Sequence, residues 1–214
     1  MIKLVDDVPE IFKKDNMIRE LREKEPYDFY SDYLLGQEVW YFSKQKIDNT
    51  SQHYDRFKRH MSKKLGIHFN NISIIGSAKT RFSLSPKKDF SEFRDISEEN
   101  PSDLDIVLVS QEVFYEIWGS FREISKNKKI NNYARKTSEI FRQFISIKDT
   151  DEIYDVMYIK EWLRKINSLK ADVQTMFNIS LNVNYRIYKS WEAVEDYHIS
   201  GIKKLKDELN SKEG

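Results

Sequence analysis

The sequence predicts an α+β protein in which three short strands lie among amphipathic helices. Two apolar runs, Ile72-Ser73-Ile74-Ile75 and Leu104-Asp105-Ile106-Val107-Leu108-Val109, have strand length and are bounded by turn residues. From Ile179 to Tyr188 the chain alternates, with Leu181, Val183, Tyr185 and Ile187 on one face and Asn182, Asn184, Arg186 and Tyr188 on the other. Elsewhere apolar residues recur at spacings of three and four, the mark of helices with one buried stripe. The 214 residues are 33% charged and 14% aromatic, which suits a folded chain with one good core, so residues 1–214 read as a single domain.

A charged leader precedes a helix expected over Tyr27 to Lys46, which carries Tyr30, Tyr33, Leu34, Val39, Trp40 and Phe42. A second helix, capped by Ser51 and stopped at Gly66, lines up Tyr54, Phe57, Met61 and Leu65. The chain then extends, giving a core strand near 67–76 that ends in the Gly76-Ser77 turn. Residues 78–102 form a polar connection too long for an ordinary loop. The strand at 103–109 leads through Ser110 into a helix with Val113, Phe114, Ile117, Trp118, Phe121 and Ile124 on its apolar face. Further helices around Tyr133 to Ile145 and Lys160 to Phe177 complete a helical insertion over 111–177. The third core strand spans 179–188. A last helix after Ser190 buries Trp191, Val194, Ile202, Leu205 and Leu209.

Composition excludes several chemistries. Cysteine is absent, which removes disulfides, thiolate metal sites and a cysteine nucleophile. A net charge of +1 supplies no overall field toward nucleic acid or anionic membrane. No run has the length of a membrane span or the form of a signal peptide, so a cytoplasmic protein without a membrane partner is expected. His53, His60, His68 and His198 show no metal-ligand spacing, and no Walker A, Gly-x-Gly-x-x-Gly or Gly-x-Ser-x-Gly motif is present. Lys126 to Lys129, Arg135, Lys136 and Arg142, near Tyr133 and Phe141, make a basic and aromatic stretch that reads first as a solvated helix face.

The chemistry-bearing residues lie at two strand ends. Side chains alternate along a strand, so Asp103 and Asp105 point the same way while Leu104 and Ile106 point into the core. Two carboxylates held so by a stiff apolar strand can chelate a hard divalent cation through oxygen. The Gly76-Ser77 turn offers backbone N–H groups and a hydroxyl, which suit a phosphate.

A strand ending in Gly76-Ser77, followed by a strand bearing Asp103-Leu104-Asp105, resembles the polymerase-beta-type nucleotidyltransferase superfamily. The resemblance implies a small mixed sheet backed by N-terminal, inserted and C-terminal helices. It implies that Asp103 and Asp105 hold two Mg2+ ions, with Mn2+ as a substitute, and that Gly76 and Ser77 cradle the nucleotide's phosphates. Lys79 and Arg81, just past the turn, and Arg186, beside Asn184, are the cations placed to meet a triphosphate. The expected reaction transfers a nucleoside monophosphate from an NTP or dNTP to a hydroxyl on a nucleic acid end, a protein or another nucleotide. Small bacterial members of the superfamily include antiviral defence and toxin–antitoxin components, whose partner is encoded in the same operon.

The chain departs from the family pattern twice. Residues 82–101 lengthen the connection between Gly76 and Asp103. The later strand carries Asn182 and Asn184 where the family has Asp or Glu, and an amide oxygen adds neither charge nor basicity. The third metal ligand is therefore Asn184, Asn182, Asp155 from Ile153-Tyr154-Asp155-Val156, or absent. If it is absent, the alternative is a weak or silent member of the fold that regulates or binds another protein.

Overall fold

The computed structural model describes residues 8–45, 47–127, 130, 132–147 and 156–211. Asp155 lies outside the described residues. The elements run α1 (Lys14–Glu23), α2 (Pro26–Tyr30), α3 (Trp40–Lys44), α4 (Thr50–Leu65), β1 (Ile72–Ile75), α5 (Ser77–Thr80), β2 (Leu104–Val109), α6 (Gln111–Asn127), α7 (Tyr133–Phe141), β3 (Phe144–Ile145), α8 (Met157–Phe177), β4 (Val183–Tyr188) and α9 (Trp191–Ser211). The strands form one mixed sheet in the order β1-β2-β4-β3. β1 is antiparallel to β2, β2 is parallel to β4, and β3 is antiparallel to β4.

Side-chain alternation sends each strand's residues into two cores. Leu104, Ile106 and Leu108 join Val183, Tyr185 and Ile187 against Phe57 and Met61 of α4, Phe114, Ile117 and Phe121 of α6, and Trp162, Leu163 and Ile166 of α8. On the opposite face Ile75, Val107, Val109 and Tyr188 meet Met17 and Leu21 of α1, Phe29 and Tyr30 of α2, and Val194, Ile202 and Leu205 of α9. The sheet is thus the middle of three layers, and strands apolar on both faces follow from that position.

Several helix ends match the local chemistry. Ser110 Oγ accepts from Val113 N at 3.3 Å, and Ser190 Oγ accepts from Ala193 N at 3.4 Å, capping α6 and α9. Gly66, at φ 73°, closes α4. The start of α4 differs from expectation: Asn49 rather than Ser51 is its cap, with the side chain accepting from Gln52 N at 3.1 Å.

Other boundaries are corrected more deeply. The helix expected over Tyr27 to Lys46 is two short helices separated by a π turn, Ser31–Leu35, and an extended break at Gly36 to Val39. A Cβ on Gly36 would stand 2.8 Å from Asp32 O, so the chain turns there only with glycine. The strand near 67–76 shortens to four residues behind a 3-10 turn, Phe69–Asn71. The strand near 179–188 begins at Val183, although Leu104 N still donates to Asn182 O at 2.8 Å. The helix expected to reach Ile145 stops at Phe141, because Gln143 adopts φ 58° and reverses the chain into β3. The insertion 111–177 therefore carries a strand.

The connection after α5 is built rather than loose. Phe82, Phe90 and Phe93 are buried, and the Phe82 and Phe90 rings stack at 5.1 Å with planes 8° apart. Ser83 N donates to Ser91 O at 2.8 Å and Phe93 N to Arg81 O at 2.7 Å. Arg94 N donates to Ser102 Oγ and Ser102 N to Arg94 O, which delivers the chain to Asp103. No helix among the described residues is long and apolar enough to cross a membrane.

Candidate carboxylate site

The antiparallel register places Ile75 opposite Asp105, and the parallel register places Asn184 opposite Asp105 on the other side. Asp105 is therefore flanked by the end of β1 and the start of β4. Gly76 follows Ile75 with φ 71°, and a Cβ built on it would stand 2.9 Å from Asp105 Oδ2. Both the backbone conformation and the close approach of the carboxylate require glycine here. The Gly76-Ser77 turn and the acidic pair, separated by 25 intervening residues in the sequence, thus meet at one point.

The amides opposite the acids are engaged with them. Asn182 Nδ2 donates to Asp103 Oδ1 at 3.1 Å, and the Asn184 side chain, opposite Asp105 in the register, favours the charged form of that carboxyl. Burial pushes the Asp105 carboxyl above the usual carboxylate range; the nearby Arg186 and Lys88 charges pull it down, and Asp103 pushes it further up. A divalent cation would relieve that burial cost by supplying the missing positive charge.

The remaining nominated residues divide. Ser77 is half-buried in the turn at the start of α5. Arg186 shares the Asp105 face, but its guanidinium packs 5.4 Å from the Phe144 ring centre and 5.0 Å from that of Tyr197. Lys79 is 1% exposed and donates to Gly36 O. Arg81 donates to Glu92 Oε1 at 2.8 Å and Phe12 O at 3.2 Å, and its guanidinium lies 4.8 Å from Trp40. Lys79 and Arg81 thus serve the fold of the N-terminal layer rather than the turn beside which the sequence puts them.

Lys88 was not legible in the sequence. It is exposed on the 3-10 turn Pro86–Lys88 and reaches the field of Asp105 because the Phe82–Phe90 stack folds the insertion back. Its only sequence signal is a basic pair, Lys87-Lys88, beside a proline. Among the described residues no group of three or more His, Asp or Glu side chains is gathered to hold a metal. The donor set at this site is two carboxylates and two amides, which suits one hard cation through Asp103 and Asp105 and leaves a second without a charged ligand of its own. No family model, curated protein or solved structure matches the chain.

Proposed function

We propose that this protein is a Mg2+-dependent nucleotidyltransferase, slow because its third carboxylate position holds an amide. The observation that carries the reading is the contact of Gly76 with Asp105 Oδ2: it joins a phosphate-cradling turn to an acidic pair able to hold a cation. Asp103 and Asp105 would hold Mg2+ or Mn2+, which supplies charge stabilisation on the triphosphate. Gly76 and Ser77 orient the phosphates, Lys88 and Arg186 add positive potential, and Asn184 keeps the Asp105 carboxyl in place. The acceptor is a hydroxyl on a nucleic acid end, a protein or a nucleotide.

Incubation with labelled NTPs or dNTPs and Mg2+ tests the proposal. Transfer that disappears in Asp103→Asn/Asp105→Asn supports it, and transfer unchanged in that variant overturns it. The Asn182–Asp103 hydrogen bond and the amide of Asn184 opposite Asp105 favour one second reading, a silent nucleotide-binding partner of another protein. That reading predicts metal-dependent nucleotide binding with no turnover.

A further inference from the structure

The connection between α5 and β2 begins and ends at the carboxylate site. It leaves α5 at Arg81, and its last residue, Ser102, precedes Asp103. Its two arms pair as a hairpin through the antiparallel bridge of Phe82 with Glu92 and the flanking backbone hydrogen bonds. At the far end Ser91 N donates to Lys88 O at 2.9 Å, closing a turn whose central residues both have positive φ, Asp89 at 43° and Phe90 at 53°. Turns of this hand are ordinarily made by Asn and Gly. A phenylalanine there is strained, and it persists because its ring is held, stacked on Phe82 and packed in one core with Val107 and Val109. Val107 and Val109 share the sheet face of Asp105, so the hairpin packs on the acids' side of the sheet. Helix α9 backs it, since a Cβ on Gly201 would stand 3.8 Å from Leu84 O.

This strained turn carries an uncommitted cation. Lys88 is exposed, and among the described residues its ammonium has no hydrogen-bond or ion-pair partner. The neighbouring cations are engaged: Lys79 with Gly36 O, Arg81 with Glu92, and Arg186 with the rings of Phe144 and Tyr197. Burial raises the Asp105 carboxyl, and Arg186 and Lys88 are the cations that oppose it. Arg186 is fixed between rings, whereas an exposed lysine swings a compact point charge on four methylenes. A divalent cation on Asp105 cancels the charge that attracts Lys88, and a triphosphate supplies a new one.

Resting on the reading of this site as a nucleotidyltransferase, we propose that Lys88 grips the β- and γ-phosphates of the bound nucleotide, so that the hairpin after α5 selects triphosphates over monophosphates. The held turn fixes where the ammonium can reach, and the side chain supplies the charge.

The test is calorimetric titration of the full chain with Mn2+ alone, and with Mg2+ plus α,β-imido analogues of ATP, CTP, GTP and UTP or the matching monophosphates. At least one triphosphate analogue is expected to bind, and more tightly than its monophosphate. Lys88→Met should weaken that analogue about tenfold and change the monophosphate by less than about twofold. Mn2+ alone should bind Lys88→Met at least as tightly as the parent, because a repelling charge has gone. Lys88→Arg should restore the analogue to within about threefold, since the charge and its donors remain. Lys87→Met, on the same turn, should bind like the parent. If the parent binds no analogue at millimolar concentration, or Asp103→Asn/Asp105→Asn binds it equally well, the reading of the site fails and the inference falls with it. If the acids are required but Lys88→Met binds the analogue like the parent, or Lys87→Met loses as much, the inference alone is overturned. Loss of Mn2+ together with the analogue in Lys88→Met also overturns it, since the turn would then act by shaping the acids.

Discussion

Individual residues carry measurable consequences. Gly76 stands at φ 71° with Asp105 Oδ2 only 2.9 Å from where a Cβ would lie. Gly76→Ala should cost about 1–3 kcal/mol through backbone strain and push the carboxylate aside. Thermal unfolding should show the first effect, and Mg-nucleotide titration a loss of binding beyond what the stability change explains. Lys79 gives a signed pH effect. Its folded pKa is lowered from the ordinary 10.5 to about 7, so between those values the unfolded chain binds more protons than the native one. Stability therefore rises with pH across that window, by about 1.4 kcal/mol per pH unit for one proton. Lys79→Met should remove that slope in urea unfolding measured from pH 7 to 9. His198 works at the acid end: burial, then Arg186, lowers it from 6.5 to about 4, and its Nε2 is buried without a hydrogen-bond partner. The unfolded chain again binds the extra proton, so stability is lost as pH falls from 6.5 through 4. His198→Phe should flatten that loss, with Tyr30 and Tyr197 already packed against the ring.

At the scale of elements, β4 sets which side chains stand beside the acids. Its register sets Asn184 beside Asp105 and Arg186 beside Val107, so every second side chain faces the acids' side of the sheet. Asn184→Asp adds a carboxylate at that register position. It should raise Mn2+ affinity on the order of tenfold by adding ligand charge, and it should lower apo stability through repulsion with Asp105. Isothermal titration and thermal unfolding would read the two opposite effects. The polar connection matters equally, since its Phe82–Phe90 stack orders the segment carrying Lys88, whose charge favours the ionised Asp105 carboxyl.

Legibility in the sequence followed the range of the interactions. The alternation in Ile179 to Tyr188 and the apolar run after Asp103 were readable because each is a local pattern imposed by one buried face. Three features were not. β3 is two residues long and defined by its partner β4, so no local period announces it. The break at Gly36 exists to bring its carbonyl to Lys79, a contact 43 positions away. Lys79 and Arg81 look like phosphate ligands from their spacing, yet burial of one and pairing of the other with Glu92 are tertiary facts.

For the whole molecule, the sheet separates two poles. Asp103, Asp105 and Gly76 lie where β2 and β4 begin, at the Ile75 end of β1, and a cleft lined by Lys58, Asn70, Ile72 and Trp191 lies toward its Ile72 end. Antiparallel pairing of β1 with β2 makes this separation unavoidable, since Ile72 pairs with Leu108 and Ile75 with Asp105. Helical layers on both faces keep the strands stiff, so the acids are held in place before any ligand arrives. The central claim is that Gly76, Ser77, Asp103 and Asp105 form one metal–nucleotide site. A crystal structure with Mg2+ and a non-hydrolysable NTP tests it most directly. The account predicts Mg2+ at about 2.0–2.1 Å from oxygens of both Asp103 and Asp105, with the triphosphate lying along the Gly76-Ser77 turn. Metal and triphosphate bound elsewhere, with those carboxylates still held only by Asn182 and Asn184, would contradict it.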